Sequence, residues 1–160
     1  MIGRLREIPE ALLTQKITRF LDLFGILQAG DQAIASYSKG MRQKVLITAA
    51  LLHDPAVILF DEPESGLDVT TTLVLRHLVR TLASRGKAVL YSSHILEVVE
   101  RVCTRVIVLH EGSVVADDSI DRLRTLMSRS NLEGVFSQLV MRIDPELVAR
   151  DLADASALGA

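Results

Sequence analysis

Tryptophan is absent from this 160-residue chain, and Phe and Tyr together make up only 4% of it. That scarcity weakens any function built on stacking nucleic-acid bases. A basic surplus is missing as well. The formal net charge is −2, which leaves nothing in excess to neutralise a phosphate backbone, so no nucleic-acid partner is expected. Cysteine occurs once, at Cys103, which excludes an internal disulfide and suits a reducing compartment. No apolar run approaches the ~20 residues that a membrane-spanning helix needs. The opening Met1-Ile2-Gly3-Arg4-Leu5-Arg6 leads into charged sequence instead of the apolar core of a secretory signal. These absences predict a soluble, cytosolic chain.

What is present suits a globular protein. Apolar residues make up 49% and charged residues 24%, and the length fits one domain large enough to bury a real core. Pro9 to Phe24 carries apolar residues at helical spacing, with Gly25 placed to cap the helix. Ile26 to Tyr37 is mixed. A second helix is expected from about Ser38 to His53, where Asp54-Pro55 stops it. A strand over Ala56 to Phe60, a helix over Thr70 to Ser84 and a strand over Ala88 to Tyr91 follow. Ile95 to Val102 reads as a short helix. Val106 to Leu109 and Ser113 to Ala116 flank His110-Glu111-Gly112 as a hairpin. Ser119 to Met127 and Leu132 to Val140 look helical, and Asp151 to Ala160 reads as a frayed end. Strands alternating with helices predict an α/β layer fold.

The most informative stretch is Val57-Ile58-Leu59-Phe60-Asp61-Glu62-Pro63-Glu64-Ser65-Gly66-Leu67-Asp68. Four apolar residues read as a fully buried, parallel strand that runs into two carboxylates. In open α/β sheets ligands bind beyond the carboxyl ends of the strands. Asp61 there suits a hard cation that shares its shell with phosphates. Glu62 beside it suits the orientation of an attacking water. A plain turn or cap carboxylate is the alternative for Asp61. Ser38 with Gly40 opens a helix whose free N–H groups make an anion site, or it is an ordinary N-cap. Asp68 equally suits a helix cap. His94 follows the second strand. His53, His77 and His110 read as surface or packing residues, and Cys103 as a small buried one.

In order and spacing, Tyr37-Ser38-Lys39-Gly40-Met41, Asp61-Glu62, Ser65-Gly66-Leu67-Asp68 and His94 resemble the C-terminal part of an ABC-transporter ATP-binding subunit, over about Ala11 to Ala116. Lys39 stands where the usual signature has its first glycine. That variant, with Asn131 to Phe136, resembles the subunits of ABC-2 type exporters. The resemblance implies a partial P-loop NTPase-like parallel sheet flanked by helices. It implies a partial helical subdomain over residues 1–55, a partial ATPase core over 56–117 and a helical extension over 118–160. It assigns Asp61 to Mg²⁺ through water, Glu62 to the attacking water and His94 to the γ-phosphate of ATP. Ser38, Lys39, Gly40 and Asp68 would meet ATP held by the opposite subunit. It implies a second ATP-binding subunit and transmembrane permease subunits as partners, with the chain at the inner face of the membrane.

Departures limit the resemblance: the family's glutamine loop and adenine-stacking aromatic, which would precede Ala11, are not found, and neither is its P-loop. The phosphate-cradling pattern G-x-x-x-x-G-K-[ST] does not occur. At the Gly86-Lys87 pair, Thr81 takes the first glycine position and Ala88 the Ser/Thr position. The expected chain is therefore a truncated ATPase that binds ATP poorly alone. Its rivals are a non-catalytic module that completes another subunit's site, and a truncated remnant. An unrelated α/β enzyme carrying Asp61-Glu62 is a further alternative.

Overall fold

Val57–Asp61 (β1) and Ala88–Ser92 (β2) lie side by side as parallel strands, in register from Val57 opposite Ala88 to Asp61 opposite Ser92. The computed structural model describes residues 2–129, 131–140 and 145–156. The chain divides into two compact units, Met1–Ile95 and Leu96–Ala160.

In the first unit a short helix, Ile2–Leu5 (α1), precedes Glu10–Leu23 (α2). Pro9 stands just before α2, where its missing N–H costs nothing. Gly25, at φ 67°, ends the helix, and Ile26 N–H donates to Leu21 O at 2.8 Å. The mixed stretch that follows holds two single turns of tighter helix, Leu27–Ala29 and Ile34–Ser36. Tyr37 is buried there, and its hydroxyl donates to Ala29 O at 2.6 Å. Lys39–Leu51 (α3) packs on α2, with Ile47, Thr48 and Leu51 buried.

Val69–Ser84 (α4) joins the two strands and packs on β2. Thr71, Leu75, Val79 and Leu82 recur at intervals of three and four and are its buried stripe. Gly86, at φ 82°, closes the helix, with Lys87 N–H donating to Leu82 O at 3.1 Å.

The expectation of fully buried strands is corrected here. Alternate side chains face opposite sides of a sheet. Ile58 and Phe60 are 2% and 6% exposed, whereas Val57, Leu59 and Leu90 are 60%, 70% and 59% exposed. One face of the sheet is therefore covered and the other open. Asp61 and Ser92 sit at the end of the open face. An apolar run states what a strand is able to bury on both sides; in this chain the described residues cover one.

In the second unit Leu96–Val102 (α5) leads to Arg105–His110 (β3) and Ser113–Ser119 (β4), an antiparallel hairpin. Its two-residue turn, Glu111-Gly112, has positive φ at both positions, 48° and 76°. That is the geometry whose twist matches the flanking strands. Ile120–Leu126 (α6) is capped by the Ser119 hydroxyl, which accepts from Arg122 N–H. Leu132–Val140 (α7) supplies Leu132 and Val135 to a cluster with Val99 and Leu123. Pro145–Ser156 (α8) is helical, so Asp151 to Ser156 are not a frayed end; residues 157–160 lie outside the described residues. Among the described residues no helix is long and apolar enough to cross a membrane.

The mixed α/β architecture with a small parallel sheet agrees with the fold class expected from the sequence.

Candidate functional site

At the carboxyl end of the parallel pair, four polar residues converge. Asp61 and Ser92 are opposite each other in the register, and the Ser92 hydroxyl donates to Asp61 Oδ1. Glu62 follows at φ 44°, a left-handed conformation that costs a non-glycine residue about 1–3 kcal/mol and needs its surroundings to hold it. The surroundings do so. Glu62 N–H donates to Ser92 O at 3.2 Å, and Ser65 N–H donates to Glu62 O at 3.1 Å.

The Glu62 carboxylate takes two contacts from His94. Its Oε1 accepts from the His94 backbone N–H at 2.8 Å and lies 2.8 Å from His94 Nδ1. An ionised carboxylate only accepts, so the proton of that second bond resides on Nδ1. The imidazole is 78% exposed. Asp61, Glu62 and His94 thus lie together at this end of the sheet.

Ser38, Lys39, Gly40 and Asp68 form a second group. Ser38 is the N-cap of α3, and its hydroxyl accepts from Met41 N–H at 3.2 Å. Lys39 and Gly40 supply further N–H groups of the first turn, which have no partner within the helix. Gly40 meets the turn at Gly66 so closely that a Cβ would lie 2.6 Å from Gly66 O. The Lys39 side chain lies against Gly66. Asp68 caps α4, accepting from Thr71 N–H at 2.8 Å and from the Thr71 hydroxyl at 2.7 Å. Lys44 Nζ stands 3.5 Å from Asp68 Oδ2. These hydrogen bonds from Thr71, helped by the Lys44 charge, hold the Asp68 carboxyl down at about 2.

The two groups meet through the turn Glu62 to Asp68. Gln43 of α3 donates to Pro63 O at 3.0 Å, and Pro63 is fully buried. Ser92, Gln43 and Lys44 are contributors that sequence reasoning did not single out as site residues. The signal for Ser92 was its place at the end of the second strand. Gln43 and Lys44 stand three and four residues after Gly40, which puts them on its face of the helix.

Asp61 is the carboxylate of this group that could hold a cation. Its donors are hard oxygens, which fit a Mg²⁺ ion that takes one or two carboxylates and completes its shell from water and phosphate. Among the described residues no group of three or more His, Cys, Asp or Glu side chains is arranged around a metal position.

Comparison with known proteins supports one reading. Residues 6–100 match the family described as "AAA domain, putative AbiEii toxin, Type IV TA system". The ABC transporter ATP-binding protein NatA of Bacillus subtilis (strain 168) is 36% identical over 140 residues, covering 88% of this chain and 57% of the relative. The daunorubicin resistance ATP-binding protein DrrA2 of Streptomyces coeruleorubidus is 32% identical over 138 residues, covering 86% of this chain and 43% of the relative. The chain thus spans about half the length of the curated relatives it matches. A solved structure, described as "Structure of ATP binding subunit of ABC transporter", superposes with a TM-score of 0.79 at 30% identity, over 86% of this chain and 58% of that one. The family model spans more than half of the chain, so the chain belongs to the AAA domain family, and its homologues at 30–38% identity and the solved structure it resembles are ABC transporter ATP-binding proteins.

Proposed function

We propose that this chain works as part of an ATP-binding subunit that energises transport, with export as its direction. The observation that supports it most is the convergence of Asp61, Glu62, Ser92 and His94 at the carboxyl end of two parallel strands. Asp61, oriented by Ser92, would hold Mg²⁺. When bound, Mg²⁺ neutralises charge on the phosphate oxygens. Glu62 spends Oε1 on His94, so Oε2 takes the attacking water and polarises it. His94, with Nδ1 committed to Glu62, reaches the γ-phosphate of ATP through its other ring nitrogen. Asp61 corresponds to the Walker B position and Ser38-Lys39-Gly40 to the signature. Residues 1–55, 56–117 and 118–160 correspond to a helical signature segment, an ATPase core segment and a helical extension.

These 160 residues contain no G-x-x-x-x-G-K-[ST] cradle; those lining the site would serve the metal and the terminal phosphate. The same chain offers Ser38, Gly40 and Asp68 to ATP held by a second ATP-binding subunit. Permease subunits in the membrane would hold the pair at the inner face. A second reading, a non-catalytic module completing a partner's site, is favoured by the α3 N-terminus. It is capped by Ser38 and seated on Gly66, and presents N–H groups and a positive dipole end to a phosphate.

The experiment mixes this chain with an intact ATP-binding subunit of the same operon. That subunit carries Gln in place of its carboxylate at the position matching Glu62, which traps ATP. Shared binding to the γ-phosphate makes association ATP-dependent. Co-elution is expected with ATP, and its loss on Ser38→Arg. Equal co-elution with and without ATP would end this reading.

A further inference from the structure

Glu64 lies two residues beyond Glu62, yet its side chain is only 10% exposed. It accepts from Arg76 Nε at 3.0 Å and Nη2 at 3.1 Å, and from the Tyr91 hydroxyl at 2.9 Å. Arg76 stands on α4. Tyr91 stands on β2, one residue before Ser92 and three before His94. We propose that Glu64, Arg76 and Tyr91 are positioning residues: a clamp that fixes the turn carrying Glu62 and so sets its approach to His94. The inference rests on the reading of Glu62 and His94 just given.

Three features carry it. The Arg76–Glu64 pair is a two-bonded fork, the arrangement that adds geometric precision to attraction. It is mostly withdrawn from water, so it is screened less than an exposed pair such as Arg101–Glu97. Between Glu64 and Glu62 stands only Pro63, whose ring fixes φ and whose side chain is fully buried. A displacement at Glu64 therefore passes to Glu62 with little slack. On the other side, the Tyr91 hydroxyl ties the same carboxylate to the strand that leads to His94. Both partners of the Glu62–His94 contact are thus referenced to Glu64. The left-handed conformation of Glu62 makes such support necessary, since an unsupported residue relaxes out of it.

The test follows amide hydrogen exchange residue by residue in the full 160-residue chain, without nucleotide. The His94 N–H reports its own bond to Glu62. Glu64→Gln breaks the fork at constant volume. Tyr91→Phe removes only a hydroxyl and guards against a variant that fails to fold. Val79→Ala is the control, a core truncation on α4 that lowers stability without touching the clamp. Exchange at His94 is expected to rise about tenfold in the two clamp variants, as for loss of one ordinary hydrogen bond, and to stay at the wild-type rate in Val79→Ala. Wild-type exchange in Tyr91→Phe, or an equal rise in Val79→Ala, overturns the proposal. Loss of the functional reading would show elsewhere, as Ser38→Arg leaving association with the partner subunit unchanged. The His94 result would still stand for the geometry.

Discussion

A Cβ on Gly40 would lie 2.6 Å from the carbonyl oxygen of Gly66. That distance makes residue 40 the point at which α3 rests on the turn following Glu62. The neighbour is backbone, and it cannot rotate away as a flexible side chain would. Gly66 is itself at φ 81°, so moving its carbonyl means moving a turn already committed to a left-handed step. Gly40→Ala therefore pushes the two elements apart. Overpacking of this kind costs about 1–3 kcal/mol. Calorimetry should show a lower melting temperature for Gly40→Ala and nearly none of that loss for Gly25→Asn. At Gly25 a Cβ meets nothing within 4 Å, and Asn tolerates the positive φ. Equal melting of Gly40→Ala and wild type would mean that the helix does not sit on the turn.

Asp68 gives the site a pH signature. Its carboxyl is lowered from the usual 3.8 to about 2 by the bonds from Thr71, with Lys44 adding to the effect. The folded value lies below the unfolded one. The stability it contributes is therefore complete above about pH 4 and is lost as the pH falls toward 2. Carbon-detected NMR titration should place the Asp68 midpoint near 2. Asp68→Asn keeps a capping oxygen but removes the titration, so its stability should fall less steeply across that window than that of wild type. Parallel slopes in the two proteins would assign the acid sensitivity to other carboxylates.

Much of this was legible in the sequence because the signals were local. Ser38 and Asp68 each precede an apolar-periodic stretch and each caps a helix. The apolar runs ending at Asp61 and Ser92 announce two strands, and their parallel pairing follows from the helix between them. The clamp was not legible. Glu64, Arg76 and Tyr91 are 12 and 27 residues apart from the first to the others, and nothing in local spacing pairs them. Lys44 with Asp68 fails for the same reason. The helix Pro145–Ser156 was missed because its small and charged residues outweigh a thin stripe of Leu147, Val148 and Leu152, all of them exposed. The burial of β1 was overread, since pattern alone does not state whether a second layer is present to cover a strand.

Val57, Leu59 and Leu90 stand on one face of a two-stranded sheet whose outer edges are unpaired among the described residues. An apolar face beside free strand edges favours association with any similar surface. The 160-residue chain should therefore self-associate at micromolar concentration and above, which light scattering coupled to size exclusion will show. Leu59→Lys places a charge in the middle of the face and blunts pairing. Leu59 is 70% exposed, so the change should move stability by no more than about 0.5 kcal/mol while shifting the population toward monomer. Ile58→Lys, one residue earlier, is the contrasting case. Ile58 is 2% exposed, and a Lys there carries an unpaired charge into the covered side, which should unfold the unit instead of dissolving the aggregate. Opposite outcomes at adjacent positions are what a sheet covered on one face requires. A chain that elutes as a monomer before any substitution would mean that the Leu59 face is already shielded.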